Sequence, residues 1–231
     1  MTRYIIIGAC AVGASLAAQF ELSGVDYALV GRGAQIRRII DHGLVSHRPA
    51  GIRQLRLNAF DTAEPPSLQR SDILLLTVKS QDAAEAVAFW AWRPIDNSEE
   101  LAASALPIVT FQNGLVTEAA ALRFFSNVYG ASILTPARFT ETGHVVVGGD
   151  PQVAIVTMGR YPYGTDETAA KVVLDLSRSD YIAETTSDIK RWKAAKLLHN
   201  VRNVLELFDG ADDERAAFGT ALVEEAETVL K

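Results

Sequence analysis

An α/β fold is predicted: a Rossmann-type doubly wound parallel sheet followed by a short all-α second domain. Three features predict it. Short runs that are apolar on both faces recur along the first two thirds of the chain, Asp72–Val78 (DILLLTV) being the longest of the early ones. Each early run is followed by a stretch with apolar residues at helical spacing. From Ser187 onward the strand-type runs cease. Runs apolar on both faces suit strands buried in a parallel sheet, and their alternation with helices is the βαβ pattern.

Taken in order, Arg3–Ile7 reads as a strand and Val12–Leu22 as its helix. Tyr27–Val30 is a second strand, and Ala34–His42 a second helix stopped by Gly43. Asp72–Val78 then leads into a helix over Gln81–Trp92, and Pro107–Phe111 into one over Leu115–Phe125. Asn127–Leu134, His144–Val147 and Val153–Met158 read as further strands, with a turn at Gly148-Gly149-Asp150-Pro151. Thr165–Arg178 reads as a helix and Tyr181–Ala183 as a last strand. Ser187 can cap a helix running to about Phe208, ended by Asp209-Gly210, and Asp212 or Asp213 can open another running to Lys231. The expected domains are therefore 1–185 and 186–231. Two helices over about 45 residues are too few for an independent core, so the second domain reads as incomplete.

Composition narrows the function. The 231 residues are 48% hydrophobic and 22% charged, ordinary for a globular chain. A net charge of −6 argues against a general nucleic-acid binder. Cys10 is the only cysteine, which excludes an internal disulfide and a cysteine-based metal site; no metal is expected. The apolar stretch Tyr4–Ala18 is broken by Gly8, Gly13 and Ser15 and has only Arg3 ahead of it, unlike a secretory signal. No apolar run approaches the roughly 18 residues of a membrane span, and a cytoplasmic location is expected.

The first strand runs into Gly8-Ala9-Cys10-Ala11-Val12-Gly13, which opens a helix where a dinucleotide fingerprint belongs. Gly8 would make the tight turn, Gly13 would let helix and sheet pack closely, and the amides of the helix start would face a pyrophosphate. Cys10 stands where a middle glycine is usual. The alternative reading is of glycines that merely turn the chain. The second strand ends in Leu29-Val30-Gly31-Arg32-Gly33. An acid there would suit the ribose hydroxyls of NAD; Arg32 suits a 2′-phosphate, and NADP(H) is expected.

Thr77-Val78-Lys79, Phe111-Gln112-Asn113-Gly114 and Lys196-Leu197-Leu198-His199-Asn200 follow in sequence. With the two motifs above, their order along essentially the whole chain resembles the ketopantoate reductases (2-dehydropantoate 2-reductases). The resemblance implies NADPH-dependent reduction of the ketone of 2-dehydropantoate to pantoate. It implies Lys196 as general acid, Asn113 near the nicotinamide ribose and substrate, Asn200 on the substrate, and Lys79 near nicotinamide or substrate. The family carries a further asparagine one turn after Asn200; here Val204 stands there, with Asn203 one place early as the substrate-side candidate. That departure leaves open a related reductase of another 2-oxo acid, and a catalytically silent NADP-binding protein is the third reading.

Hydride delivery to a ketone builds negative charge on oxygen, which an ammonium can both stabilise and protonate. At 100° per residue, Trp192, Lys196, His199, Asn200 and Asn203 share one stripe, and Leu197, Val201, Val204, Leu205 and Phe208 a core-facing one. A solvated face would explain the first stripe as well, although asparagine is a poor helix former for that purpose. The partners expected are a small 2-oxo acid and, unless further residues cover the apolar faces of the last helices, a second copy of the chain in a homodimer; no nucleic acid or membrane is expected.

Overall fold

A computed structural model describes residues 2–207 and 209–230. The chain opens with β1 (Arg3–Ile7), α1 (Ala11–Ser23), β2 (Tyr27–Gly31) and α2 (Gly33–His42). Three short strands follow, β3 (Leu44–Arg48), β4 (Gly51–Leu55) and β5 (Ala59–Asp61). Next come β6 (Asp72–Leu76), α3 (Ser80–Ala91), α4 (Ala102–Ala105), β7 (Pro107–Thr110), α5 (Thr117–Ala121) and β8 (Asn127–Leu134). After β9 (Ala137–Arg138), β10 (His144–Val147), β11 (Ala154–Arg160), α6 (Glu167–Arg178) and β12 (Tyr181–Thr185), the chain becomes helical. It ends with α7 (Ile189–Val201), a 3₁₀ stretch (Arg202–Leu207) and α8 (Asp212–Val229).

Eight strands form the main sheet in the order β12-β11-β8-β7-β6-β1-β2-β5. The six from β8 to β5 are parallel, in the doubly wound order of a dinucleotide-binding fold. The order reverses between β1 and β6, which opens a crevice at their carboxyl ends. Successive strand residues point to opposite faces, so two cores form. Tyr4, Ile6, Leu29, Leu75 and Val109 pack on one side with Phe20 of α1; Ile5, Ile7, Leu74, Leu76 and Ile108 pack on the other with Trp90 of α3. Inside α1, Gly13 through Phe20 are all buried. That all-round burial follows from its place between the main sheet and β3, β9 and β10 of a second, four-stranded sheet, β4-β3-β10-β9.

Several expectations need correction. β11 runs antiparallel to β8, so the sheet is mixed rather than wholly parallel. His144–Val147 is a strand as read, but belongs to the second sheet. Residues 44–61, given no element from the sequence, form three strands; Ile52, Arg53 and Gln54 of β4 are exposed and carry no buried-face signal. The helix expected over Leu115–Phe125 is confined to Thr117–Ala121. Asp188, not Ser187, caps α7: its carboxylate accepts from the Arg191 amide at 3.1 Å. The helix expected to reach Phe208 passes into 3₁₀ geometry at Arg202, and Phe208 itself lies outside the described residues, as does Lys231. Ala211 precedes the last helix, with Asp212 and Asp213 in its first turn, where carboxylates favour the dipole. α7 packs on β8 and β11, so the final helices lean on the sheet.

Candidate functional site

The crevice at the β1–β6 switch point is a cleft of about 800 Å³, counted to its open mouth. Two glycines shape it. Gly8 has φ +118°, and a Cβ there would lie 2.8 Å from the Val78 amide nitrogen. A Cβ on Gly13 would sit 1.9 Å from the Gly8 carbonyl oxygen, so only glycine lets α1 approach the strand end this closely. The hydroxyl of Thr77 donates to the Gly8 carbonyl at 2.9 Å and lies 3.0 Å from that of Ile7, tying the ends of β1 and β6 together.

Of the fingerprint residues, Gly8, Ala9 and Cys10 line the cleft. Ala11 and Val12 open α1, Val12 packs against the core and Gly13 is buried; none of the three lines the cleft. Cys10 is the N-cap of α1, half-buried, with extended backbone at φ −82°, which any residue adopts. Arg32, the N-cap of α2, lies at the mouth with its side chain 64% exposed. Its guanidinium sits 2.9 Å from Asp82 and 3.7 Å from Glu85, both on α3 and both lining the cleft. Lys79, exposed at the start of α3, lines this cleft and not the smaller pocket beyond it.

That second pocket is framed by Gln112, Asn113, Gly114, Lys193, Lys196 and Asn200, with Ala131 and Ser132 of β8 below. Lys196 is the centre of it. Its ammonium donates to Asn113 Oδ1 at 2.6 Å and to the Ile133 carbonyl, leaving one N–H for a ligand. Burial, and then the neighbouring positive charge of Lys193, lowers the Lys196 pKa to about 8. Asn113 is exposed at the end of β7, before Gly114 at φ +98°. Asn200 stands one helical turn beyond Lys196 and is half-buried. Asn203 lies exposed on the 3₁₀ stretch and does not line this pocket.

Three participants escaped the sequence reading. Lys193 and Glu118 form a buried ion pair beneath the pocket, and Glu118 also accepts from Thr110 at 2.5 Å. Burial pushes the Lys193 ammonium down against the upward pull of Glu118. The helical wheel grouped polar residues into one stripe, whereas the face on the sheet is Ile189, Lys193, Lys196 and Asn200. The i, i+4 step from Ile189, and a lone acid in the Thr-Glu-Ala-Ala-Ala helix, were the available signals. Gln112 is the third. Its amide nitrogen donates to Leu76 and Val78 carbonyls at 2.9 and 2.8 Å, which fixes the orientation of the amide and joins the pocket wall to the Gly8 cleft.

Strand order, glycine turn and a lysine-bearing helix over the sheet define an α/β protein of the Rossmann class. A family model described as "Ketopantoate reductase PanE/ApbA" matches residues 4–160, and the chain belongs to that family of nicotinamide-dependent oxidoreductases. The chain is 28% identical over 214 residues to a 2-dehydropantoate 2-reductase of Pyrococcus horikoshii, covering 90% of this chain and 66% of the relative. A 2-dehydropantoate 2-reductase of Archaeoglobus fulgidus is 29% identical over 189 residues, 81% of this chain and 57% of that one. The chain thus spans less than two thirds of these relatives' length. Among solved structures, 2-dehydropantoate 2-reductase from Methylococcus capsulatus superposes with a TM-score of 0.76 at 20% identity, covering 98% of this chain and 73% of that one. D-mandelate dehydrogenase in a ternary structure with NADH and anilino(oxo)acetate gives 0.77 at 17%, covering 100% and 80%. At these identities the likeness is one of fold. Among the described residues no helix is long and apolar enough to cross a membrane, and no cluster of metal-ligating side chains occurs.

Proposed function

We propose that this chain carries an NADPH-dependent reductase site for a 2-oxo acid, with 2-dehydropantoate as substrate and pantoate as product. The observation that carries the reading is the meeting of Lys196, Asn113 and Asn200 in one pocket, joined through Gln112 to a cleft built on Gly8. The residues fit a dinucleotide. The cradle at Gly8 is one that a Cβ would fill, Cys10 at the N-cap of α1 lines the same cleft, and Arg32 stands at the end of β2 for a 2′-phosphate. Arg32 and Lys79 would hold the phosphates, with Gly8, Ala9 and Cys10 along the pyrophosphate path. The bound cofactor supplies a hydride.

The protein's own groups do the rest. Lys196 holds a proton on Nζ at neutral pH, because a pKa of about 8 leaves most of it charged. Its remaining N–H points the charge at a ketone oxygen, stabilising the alkoxide and passing the proton to it. Asn113 fixes the ammonium from one side through its Oδ1. Asn200 offers an amide to the substrate, and Lys79 adds positive charge on the cleft side.

A second 2-oxo acid is favoured by one residue. Val204, half-buried on the 3₁₀ stretch, stands where a polar partner of the substrate is usual in the family the sequence resembles, and Asn203 beside it faces solvent. The test assays NADPH oxidation with 2-dehydropantoate beside aromatic and branched 2-oxo acids. Lys196→Ala should lower kcat at least 100-fold while NADPH titrates as in the unaltered protein. Better turnover of another acid transfers the assignment to it. NADPH binding without turnover of any acid leaves a silent binding protein, and unchanged kcat in Lys196→Ala refutes the acid.

A further inference from the structure

We infer that Asp82 and Glu85 of α3 act as specificity-setting residues that oppose Arg32, so that this cleft discriminates only narrowly between NADPH and NADH. The inference rests on the cofactor reading above and refines it.

The guanidinium of Arg32 is the group placed to grip a 2′-phosphate, yet it does not face the cleft alone. Asp82 Oδ1 takes it at 2.9 Å and Glu85 Oε2 stands 3.7 Å away, and all three side chains line the same cleft. With Lys79 at the start of α3, the charged groups at this end are two cations and two anions. A phosphate arriving there meets a balanced field, whereas a NADP site built for strict selection concentrates positive charge. A ribose carrying free hydroxyls loses nothing by the same arrangement, because carboxylates accept hydrogen bonds from them.

A structural reason explains only part of this acid pair. Asp82 lies in the first turn of α3, where a carboxylate favours the helix dipole. Glu85 is nearly a turn further on, mostly exposed, and pairs with Arg32. An exposed ion pair contributes little to folding, so stability does not account for an acid at that position.

The size of the effect follows from charge and distance. A phosphate on the free edge of Arg32 would stand roughly 6 Å from each carboxylate. With a charge near −2 and screening by about half at physiological salt, repulsion from both acids weakens its binding roughly fivefold to tenfold. The acids are on the surface, so their amides should leave the fold intact.

The experiment titrates the 231-residue chain with NADPH and with NADH, by calorimetry or nicotinamide fluorescence. Unaltered protein, Asp82→Asn, Glu85→Gln and the double variant are compared at low and physiological salt. NADPH should bind the double variant five to ten times more tightly, NADH should change less than twofold, and raising salt should shrink the difference. An NADPH-to-NADH affinity ratio that is the same in unaltered and double-variant protein overturns this inference while leaving the cofactor reading in place. A ratio above about 100 in the unaltered chain overturns it too. Binding of neither dinucleotide to any of the four proteins overturns both.

Discussion

Replacing Lys193 with methionine probes what holds the helix of Lys196 over the sheet. Lys193 and Glu118 are 4% and 1% exposed, and together with Thr110 they form a buried polar knot under α7. Methionine keeps most of the volume and removes the ammonium, leaving a carboxylate that water cannot reach and that Thr110 alone serves. Breaking a buried pair from one side costs about 3–5 kcal/mol, because an uncompensated charge remains. For a chain of this size that corresponds to a fall in Tm of roughly 6–20 °C. The double variant Glu118→Gln/Lys193→Met removes both charges and keeps an oxygen for Thr110, so it should return to within about 1.5 kcal/mol of the unaltered protein. Urea unfolding of the four proteins closes the cycle, and a coupling of at least about 2 kcal/mol is expected. The single variant should also move the titration of Lys196 up, since a positive neighbour goes. A stability loss under about 1 kcal/mol, or additive effects in the cycle, would refute the idea that this pair anchors the helix.

Two further outcomes are expected. In the proposed mechanism reduction needs Lys196 protonated, and its pKa of about 8 lies below the ordinary lysine value, so kcat should be level below pH 7.5 and fall about tenfold per unit above 8. A pH–rate profile checks it; a falling limb that begins at pH 10 would exclude Lys196 as the donor. Cys10 is the chain's one thiol and lines the cleft proposed to hold the dinucleotide, so iodoacetamide should label it, abolish NADPH binding, and be slowed by saturating NADPH. Equal labelling rates with and without the dinucleotide, followed by mass spectrometry, would place the cofactor elsewhere.

The doubly wound core was readable because its strands are buried on both faces and announce themselves as unbroken apolar runs. Tyr4–Ile7, Ala28–Val30 and Ile73–Leu76 need no tertiary information to be recognised. The glycines of the first turn were readable for a related reason: a Cβ on Gly13 would fall 1.9 Å from the Gly8 carbonyl oxygen, so the close approach of helix and strand end dictates the residue type. Apart from His144–Val147, the second sheet was not readable. Its strands are short, and Gly51–Leu55 is exposed along most of its length, so no alternation marks a core side. The helix face failed differently. A wheel sorts residues by polarity, and Lys193 is a buried cation whose place depends on Glu118, which lies 75 positions earlier in the sequence. Arg32 was read as a lone cation because its opponents come from a different βα unit, 50 residues on.

These long-range partners divide the site into two mechanical parts. The loops after β1, β6 and β7 are cross-linked by Thr77 to the Gly8 carbonyl and by Gln112 to the Leu76 and Val78 carbonyls, so the cleft and Asn113 ride on one rigid set of parallel strands. Lys196 comes from outside that set, on a helix whose buried residues are only Ile189 and Lys193. The geometry between Lys196 and Asn113 therefore depends on two anchors, one apolar and one ionic, placed four residues apart on the face towards β8. Loosening either anchor should leave dinucleotide binding untouched while kcat falls, because the residues that line the cleft, from β1, β2 and α3, do not touch either anchor. A Lys193 or Ile189 variant that lost NADPH affinity in step with kcat would mean that cleft and helix move as one body, contrary to this division.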